Sequence, residues 1–82
     1  MFYTYVIRSL KTGVLYKGHC QDLEKRMIQH NSGLTQSIRH LIPLEMIYFE
    51  EFKTCEEAVK RERYFKTAAG RRFLKSKIGP VV

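Results

Sequence analysis

The stretch Phe2-Tyr3-Thr4-Tyr5-Val6-Ile7, followed by Lys11-Thr12-Gly13 and Val14-Leu15-Tyr16-Lys17, decides how this chain folds. Its first six residues are aromatic or β-branched and uncharged, the pattern of a strand covered on both faces and so central in its sheet. Lys11-Thr12-Gly13 offers a turn, with the glycine free to take positive φ. Val14–Lys17 supplies a second strand, and the pair predicts a hairpin. Gly18 is expected to close that strand and to let backbone or ligand approach closely.

Moving outward, Asp22 is a good N-cap for a helix over 23–31, with Leu23, Met27 and Ile28 on its inner face and Asn31-Ser32-Gly33 as its stop. Residues 34–42 show no clear period and predict an irregular connection. Pro43 then precedes a third strand, Leu44–Glu50. Thr54-Cys55-Glu56-Glu57 is a capping box, the strongest local signal in the chain, and predicts a helix from 55 to about 67. Gly70 is expected to break it, leaving a last short helix over about 71–78 that ends at Gly79-Pro80. Strand, strand, helix, strand, helix, helix predicts an α+β domain: a small antiparallel or mixed sheet with helices packed on it.

At 82 residues the chain holds one core, so 1–82 is expected to be a single domain. Hydrophobic residues make up 44%, enough to exclude compositional disorder. No apolar run is long enough to span a bilayer, and the N-terminus lacks the parts of a signal peptide; a cytoplasmic protein without a membrane partner is expected. Cys20 and Cys55 are too few for a disulfide scaffold and too far apart for a zinc motif, so both are expected to be free thiols. The net charge is +7. It is not spread evenly. Residues 1–59 carry seven basic and seven acidic side chains, whereas 60–82 carry Lys60, Arg61, Arg63, Lys66, Arg71, Arg72, Lys75 and Lys77 against Glu62 alone. A run like this is either a solvated helical face or a surface for a polyanion, and arginine forks suit phosphate oxygens.

Several residues break the packing pattern. The inner stripe of the helix from 55 is Cys55, Ala58, Val59, Glu62 and Phe65, and one of these is a carboxylate. An ionised group there needs a partner, either a neighbour such as Lys66 or a metal; Mg²⁺ often takes only one or two carboxylates. Arg26 and His30 lie four apart on the first helix beside its apolar stripe, a candidate phosphate clamp or an ordinary amphipathic boundary. Tyr5 and Tyr16 sit in the two hairpin strands, where packing is the common role of tyrosine. Arg39 lies in the irregular connection. His19 and His40 are not at metal-ligand spacing and are expected to be surface or loop residues.

In chain order, Tyr3-Thr4-Tyr5, Tyr16-Lys17-Gly18, Asp22-Leu23-Glu24-Lys25-Arg26 with His30-Asn31-Ser32-Gly33, and Ala58 with Glu62 resemble the GIY-YIG nuclease domain, most closely its small stand-alone bacterial members. Arg61–Thr67 and Gly70–Lys75 are similar to the tail of that subgroup. The resemblance implies a three-stranded antiparallel sheet flanked by helices and a phosphodiesterase that uses Mg²⁺ or Mn²⁺ on DNA, with RNA not excluded and no small-molecule cofactor. It implies catalytic roles for Tyr5, Tyr16, Arg26, His30 and Glu62, with Glu62 holding the metal and Tyr5 expected to orient or deprotonate the attacking water. Lys17, Arg39, Lys60, Arg61, Arg63, Lys66, Arg71 and Arg72 are the expected nucleic-acid contacts. Three features depart from the pattern: the first motif lacks its glycine, Lys17 replaces an aliphatic residue, and the family's late asparagine is missing, with Ser76 in that region and Asn31 the only asparagine. Three readings therefore compete: a structure-selective nuclease of repair or recombination, a catalytically silent nucleic-acid-binding module, and a protein-interaction module with a basic face. Oligomeric state is left open by the sequence.

Overall fold

In the computed structural model, which describes residues 1–79, the uncharged opening stretch becomes strand β1 (Phe2–Ser9). It lies in the middle of an antiparallel sheet, between β2 (Leu15–Cys20) and β3 (Leu44–Phe52), in the order β2-β1-β3. Tyr5 pairs with Gly18 and Phe49, and Ile7 pairs with Tyr16 and Met46. The remaining elements are α1 (Leu23–Asn31), a 3-10 turn over Gln36–Leu41, α2 (Cys55–Phe65) and α3 (Ala68–Ile78). The domain is α+β, as the sequence predicts, and the sheet is wholly antiparallel.

Side chains alternate across the sheet, so each face has its own core. On one face Tyr5, Ile7 and Cys20 pack with Ile38, Leu41 and Leu44, bordered by Leu23 and Met27 of α1. On the other, Val6 packs with Phe65 and Leu74, bordered by Leu15, Tyr48 and Phe73. Two polar ties fix the frame. Asn31 donates to the Leu44 carbonyl at 3.0 Å and accepts from its amide at 2.8 Å, joining the end of α1 to the start of β3. Arg61 forks onto Glu50 of β3 at 2.7 and 3.2 Å while its guanidinium stacks on Tyr64, Phe65 and Phe73.

The predicted caps are present: Asp22 accepts from the Lys25 amide, and Thr54 and Glu57 form the capping box. The two central glycines are placed differently from expectation. Gly70 does not break a helix. The break falls at Lys66 and Thr67, Thr67 caps α3 by accepting from the Gly70 amide, and Gly70 lies inside the first turn. A Cβ at Gly70 would sit 1.8 Å from the Tyr64 carbonyl oxygen, so the residue lets α3 fold back tightly on the end of α2. Gly18 lies within β2 rather than at its end. Residues 34–42 are also more regular than expected, because they contain the 3-10 turn. Two stripe assignments fail: Ile28 is 63% exposed and Cys55 is exposed at the start of α2. Gly79 ends α3 at φ 92°, whereas Pro80 lies outside the described residues.

Candidate functional site

The register of β2 organises the site. Tyr16, Gly18 and Cys20 face α1, whereas Leu15, Lys17 and His19 face α2 and α3. Because β2 is an edge strand, groups from both faces meet along it.

On the α1 face, the Tyr5 hydroxyl lies 2.8 Å from His30 Nε2, and His30 Nδ1 lies 2.7 Å from Thr35 Oγ1. Tyr5 and His30 are each 1% exposed. The tautomer that leaves no buried proton unused has Tyr5 donating to Nε2 and Nδ1–H donating to Thr35. Burial pushes the Tyr5 hydroxyl up to about 12, and the Arg26 guanidinium pulls it back only in part. Burial, then the charge of Arg26, lowers His30 below the usual histidine value, so the ring is neutral near pH 7. This chain depends on Gly18, because a Cβ there would lie 2.5 Å from the Tyr5 hydroxyl oxygen. The close approach anticipated at Gly18 is made by Tyr5. Tyr16 sets its ring edge-on to His30, with centroids 5.6 Å apart. Its hydroxyl has no protein partner among the described residues, and no side-chain oxygen there is both buried and unpaired, so it reaches solvent.

On the other face, Glu62 is held at both oxygens. His19 Nδ1 donates to Oε1 at 2.6 Å, and Lys66 Nζ donates to Oε2 at 2.7 Å. Burial pushes this carboxyl up, but the hydrogen bonds from His19 and Lys66 outweigh it and hold the group below the usual carboxylate range. His19 also links the faces: its backbone carbonyl accepts from Arg26 Nη1 at 3.4 Å. A cleft of about 290 Å³ opens beside His19 and Arg26, with Phe2, Gln21 and Cys55 on its walls.

The sequence therefore placed Arg26, His30, Tyr5, Tyr16 and Glu62 as candidates, and the fold gathers them about β2. It set aside His19, the residue that touches both Arg26 and Glu62. The missing signal was strand alternation carried through Gly18, which puts His19 on the face that α2 covers, where Glu62 meets it. Tyr5 is buried and raised, a poor position for meeting water. Among the expected nucleic-acid contacts, Lys17, Lys66 and Arg71 cluster: burial, then the charges of Arg71 and Lys66, lower the Lys17 amine, and Arg71 donates to the Lys66 carbonyl at 3.0 Å. Lys60 and Arg63 are exposed along α2, Arg72 on α3 and Arg39 on the 3-10 turn, apart from that cluster. Arg61 is committed to Glu50 and the aromatic rings.

Fold and site together define a small α+β domain that brings two tyrosines, an arginine, a histidine and a glutamate to one sheet edge. Residues 1–75 match the family model of the GIY-YIG catalytic domain. The chain belongs to that family, a nuclease family whose members generally use divalent metals. It is 39% identical over 74 residues to a UPF0213 protein of Staphylococcus saprophyticus, covering 89% of each chain. UPF0213 proteins of Bacillus pumilus and Bacillus licheniformis are 42% and 40% identical, over 79% and 78% of this chain and 66% of theirs. No solved structure matches at comparable significance. No helix among the described residues is long and apolar enough to cross a membrane.

No three His, Cys, Asp or Glu side chains gather among the described residues as a metal cluster. The donor set is one ionised, largely covered carboxylate whose two oxygens both accept from protein partners. It fits a Mg²⁺ ion, which keeps waters and takes further oxygens from substrate phosphate, once one of those partners gives way.

Proposed function

We propose that the chain is a divalent-metal-dependent endonuclease that hydrolyses DNA phosphodiesters at branched, nicked or damaged structures, in cytoplasmic repair or recombination. The observation that carries this reading is the convergence of Arg26 and Glu62 on His19, beside an open cleft and next to a strand whose Tyr16 hydroxyl is free. A phosphate in the cleft meets the Arg26 guanidinium, which neutralises charge as it develops on the phosphorus oxygens. Tyr16 holds the attacking water in line. The water oxygen bonds to phosphorus and releases a proton to solvent, the bond to the leaving sugar oxygen breaks, and that oxygen takes a proton back from solvent. The Tyr5–His30–Thr35 chain fixes the wall against which Tyr16 sits, and its buried proton gives it a positioning role. His19 and Lys66 keep Glu62 ionised and aimed. Glu62 is the residue that would hold a Mg²⁺ or Mn²⁺ ion, and such an ion would supply Lewis-acid stabilisation of charge on the phosphate.

The test is incubation of the purified chain with labelled duplex, single-stranded and branched DNA, in Mg²⁺, in Mn²⁺ and in chelator, beside Arg26→Ala, Glu62→Ala and Tyr16→Phe. The expected result is metal-dependent cutting, lost in the first two variants and reduced roughly 100-fold or more in the third. A second reading, a nucleic-acid-binding module without catalysis, is favoured by the engagement of both Glu62 oxygens with protein partners. Salt-sensitive binding with no cutting on any substrate would select it.

A further inference from the structure

A second cleft lies on the α3 side of β2, away from Tyr16 and His30. Its floor is apolar, made by Leu15, Leu74 and Ile78, and its rim carries Lys17, Arg71 and Lys75. Among the described residues, no acidic side chain lines it. Its volume is about 210 Å³, below the roughly 300–1,000 Å³ of pockets for drug-sized ligands and suited to a single ring system. Three cations around an apolar floor are self-repelling without a counter-charge; Lys17, lowered by burial first, is lowered further by the charge of its rim neighbour Arg71. The rim is continuous with the candidate site: Lys17 lies between Tyr16 and Gly18 on β2, and Arg71 bonds the backbone of Lys66, whose amine holds Glu62.

We propose that this cleft is a subsite for one unpaired nucleotide next to the cleaved phosphate, its base against Leu15, Leu74 and Ile78 and its phosphate on Lys17, Arg71 and Lys75. The proposal rests on the nuclease reading for its place in the reaction, but the binding it describes is measurable alone. A base inside a paired stack cannot enter such a cleft, whereas an extruded or single-stranded one can, held between apolar side chains. The lining residues include no neutral hydrogen-bonding side chain to read a base edge, so the subsite selects for an unpaired nucleotide and not for its identity. That gives the domain a source of structure selectivity of its own.

Amide chemical shifts of the whole chain in chelator, titrated with deoxyadenosine monophosphate, deoxyadenosine and inorganic phosphate, test this directly. The nucleotide is expected to move the signals of Lys17, Arg71, Lys75 and Ile78, and to bind about fivefold tighter than phosphate. Arg71→Gln and Lys75→Gln should each weaken it about fivefold with the rest of the spectrum unchanged, and Lys11→Gln in the hairpin turn should not. Equal binding of phosphate and nucleotide, shifts that map elsewhere, or no binding would overturn the subsite. Cutting separates the two readings. If the chain cuts and the titration fails, only the subsite falls; if the titration succeeds and nothing is cut, only the nuclease reading falls. Where both hold, Arg71→Gln should slow cutting of DNA with an unpaired nucleotide more than cutting of paired duplex.

Discussion

The two faces of the sheet share β1 but are filled with different chemistry. Toward α2 and α3, Val6, Phe65 and Leu74 are sealed by rings: Phe65 and Phe73 stack with centroids 6.1 Å apart, and Arg61 lies over both. Toward α1, the largest buried groups include Tyr5 and His30, joined in a polar chain that ends at Thr35. A half-satisfied polar core is worse than an apolar one, so such a chain is retained where it sets a geometry that apolar packing would leave loose. The difference separates anchoring from positioning: one face holds the domain together, and the other holds a wall of the site.

If that division is right, the largest stability effect belongs to the anchoring face. Phe65→Ala removes a fully buried ring that packs against Tyr48, Tyr64 and Phe73. The expected loss is about 3–5 kcal/mol in denaturant unfolding, a large share of the stability of so small a domain. Folded protein that remains should bind nucleic acid at wild-type affinity. A loss under about 1 kcal/mol would show that the aromatic face is not the anchor.

Tyr5→Phe sharpens the contrast from the other side. It keeps the ring and deletes the hydroxyl, leaving His30 Nε2 buried without a donor, at an expected cost of about 1–3 kcal/mol. Under the proposed nuclease reading, its effect on cutting should exceed its effect on folding: kcat should fall and KM stay near wild type, because the Tyr5 side chain is buried. A Tyr5→Phe enzyme with unchanged kcat would remove the positioning role from the buried chain.

Much of this architecture was legible because its signals are local. The capping box at Thr54, the cap at Asp22 and the uncharged run of β1 are each decided within a few residues. What could not be read was tertiary. Gly70 looked like a breaker because glycine's commonest use is conformational, yet it is required by the nearby Tyr64 carbonyl; at Gly18 a close approach was expected, but not that the Tyr5 hydroxyl would make it. The pairing of Glu62 with Lys66 followed from helix spacing, whereas the pairing with His19 crosses 43 positions and needed the strand register. The burial of Tyr5 was legible in a strand read as covered on both faces, but its contact with His30 was not, since that depends on how α1 closes over the sheet.

The smallest effect comes from His30, whose proton affinity records the same burial. Its folded pKa is lowered, by burial first and by Arg26 second, while the unfolded chain titrates near 6.5. As pH falls through that value the unfolded state takes up a proton that the folded state refuses, so stability declines until the folded pKa is reached. One such group gives a slope of at most about 1.4 kcal/mol per pH unit. Glu50 and Glu62 are held below 4.5, so their contributions persist until the pH falls below the carboxylate range, leaving the window between about pH 5 and 7 clear of them. Denaturant unfolding of the wild type across that window should show the decline, and His30→Gln, unable to titrate, should lose the part of the slope that His30 supplies. If the two curves ran parallel, His30 would be open to water in the folded state, and the two faces of the sheet would differ less than their packing indicates.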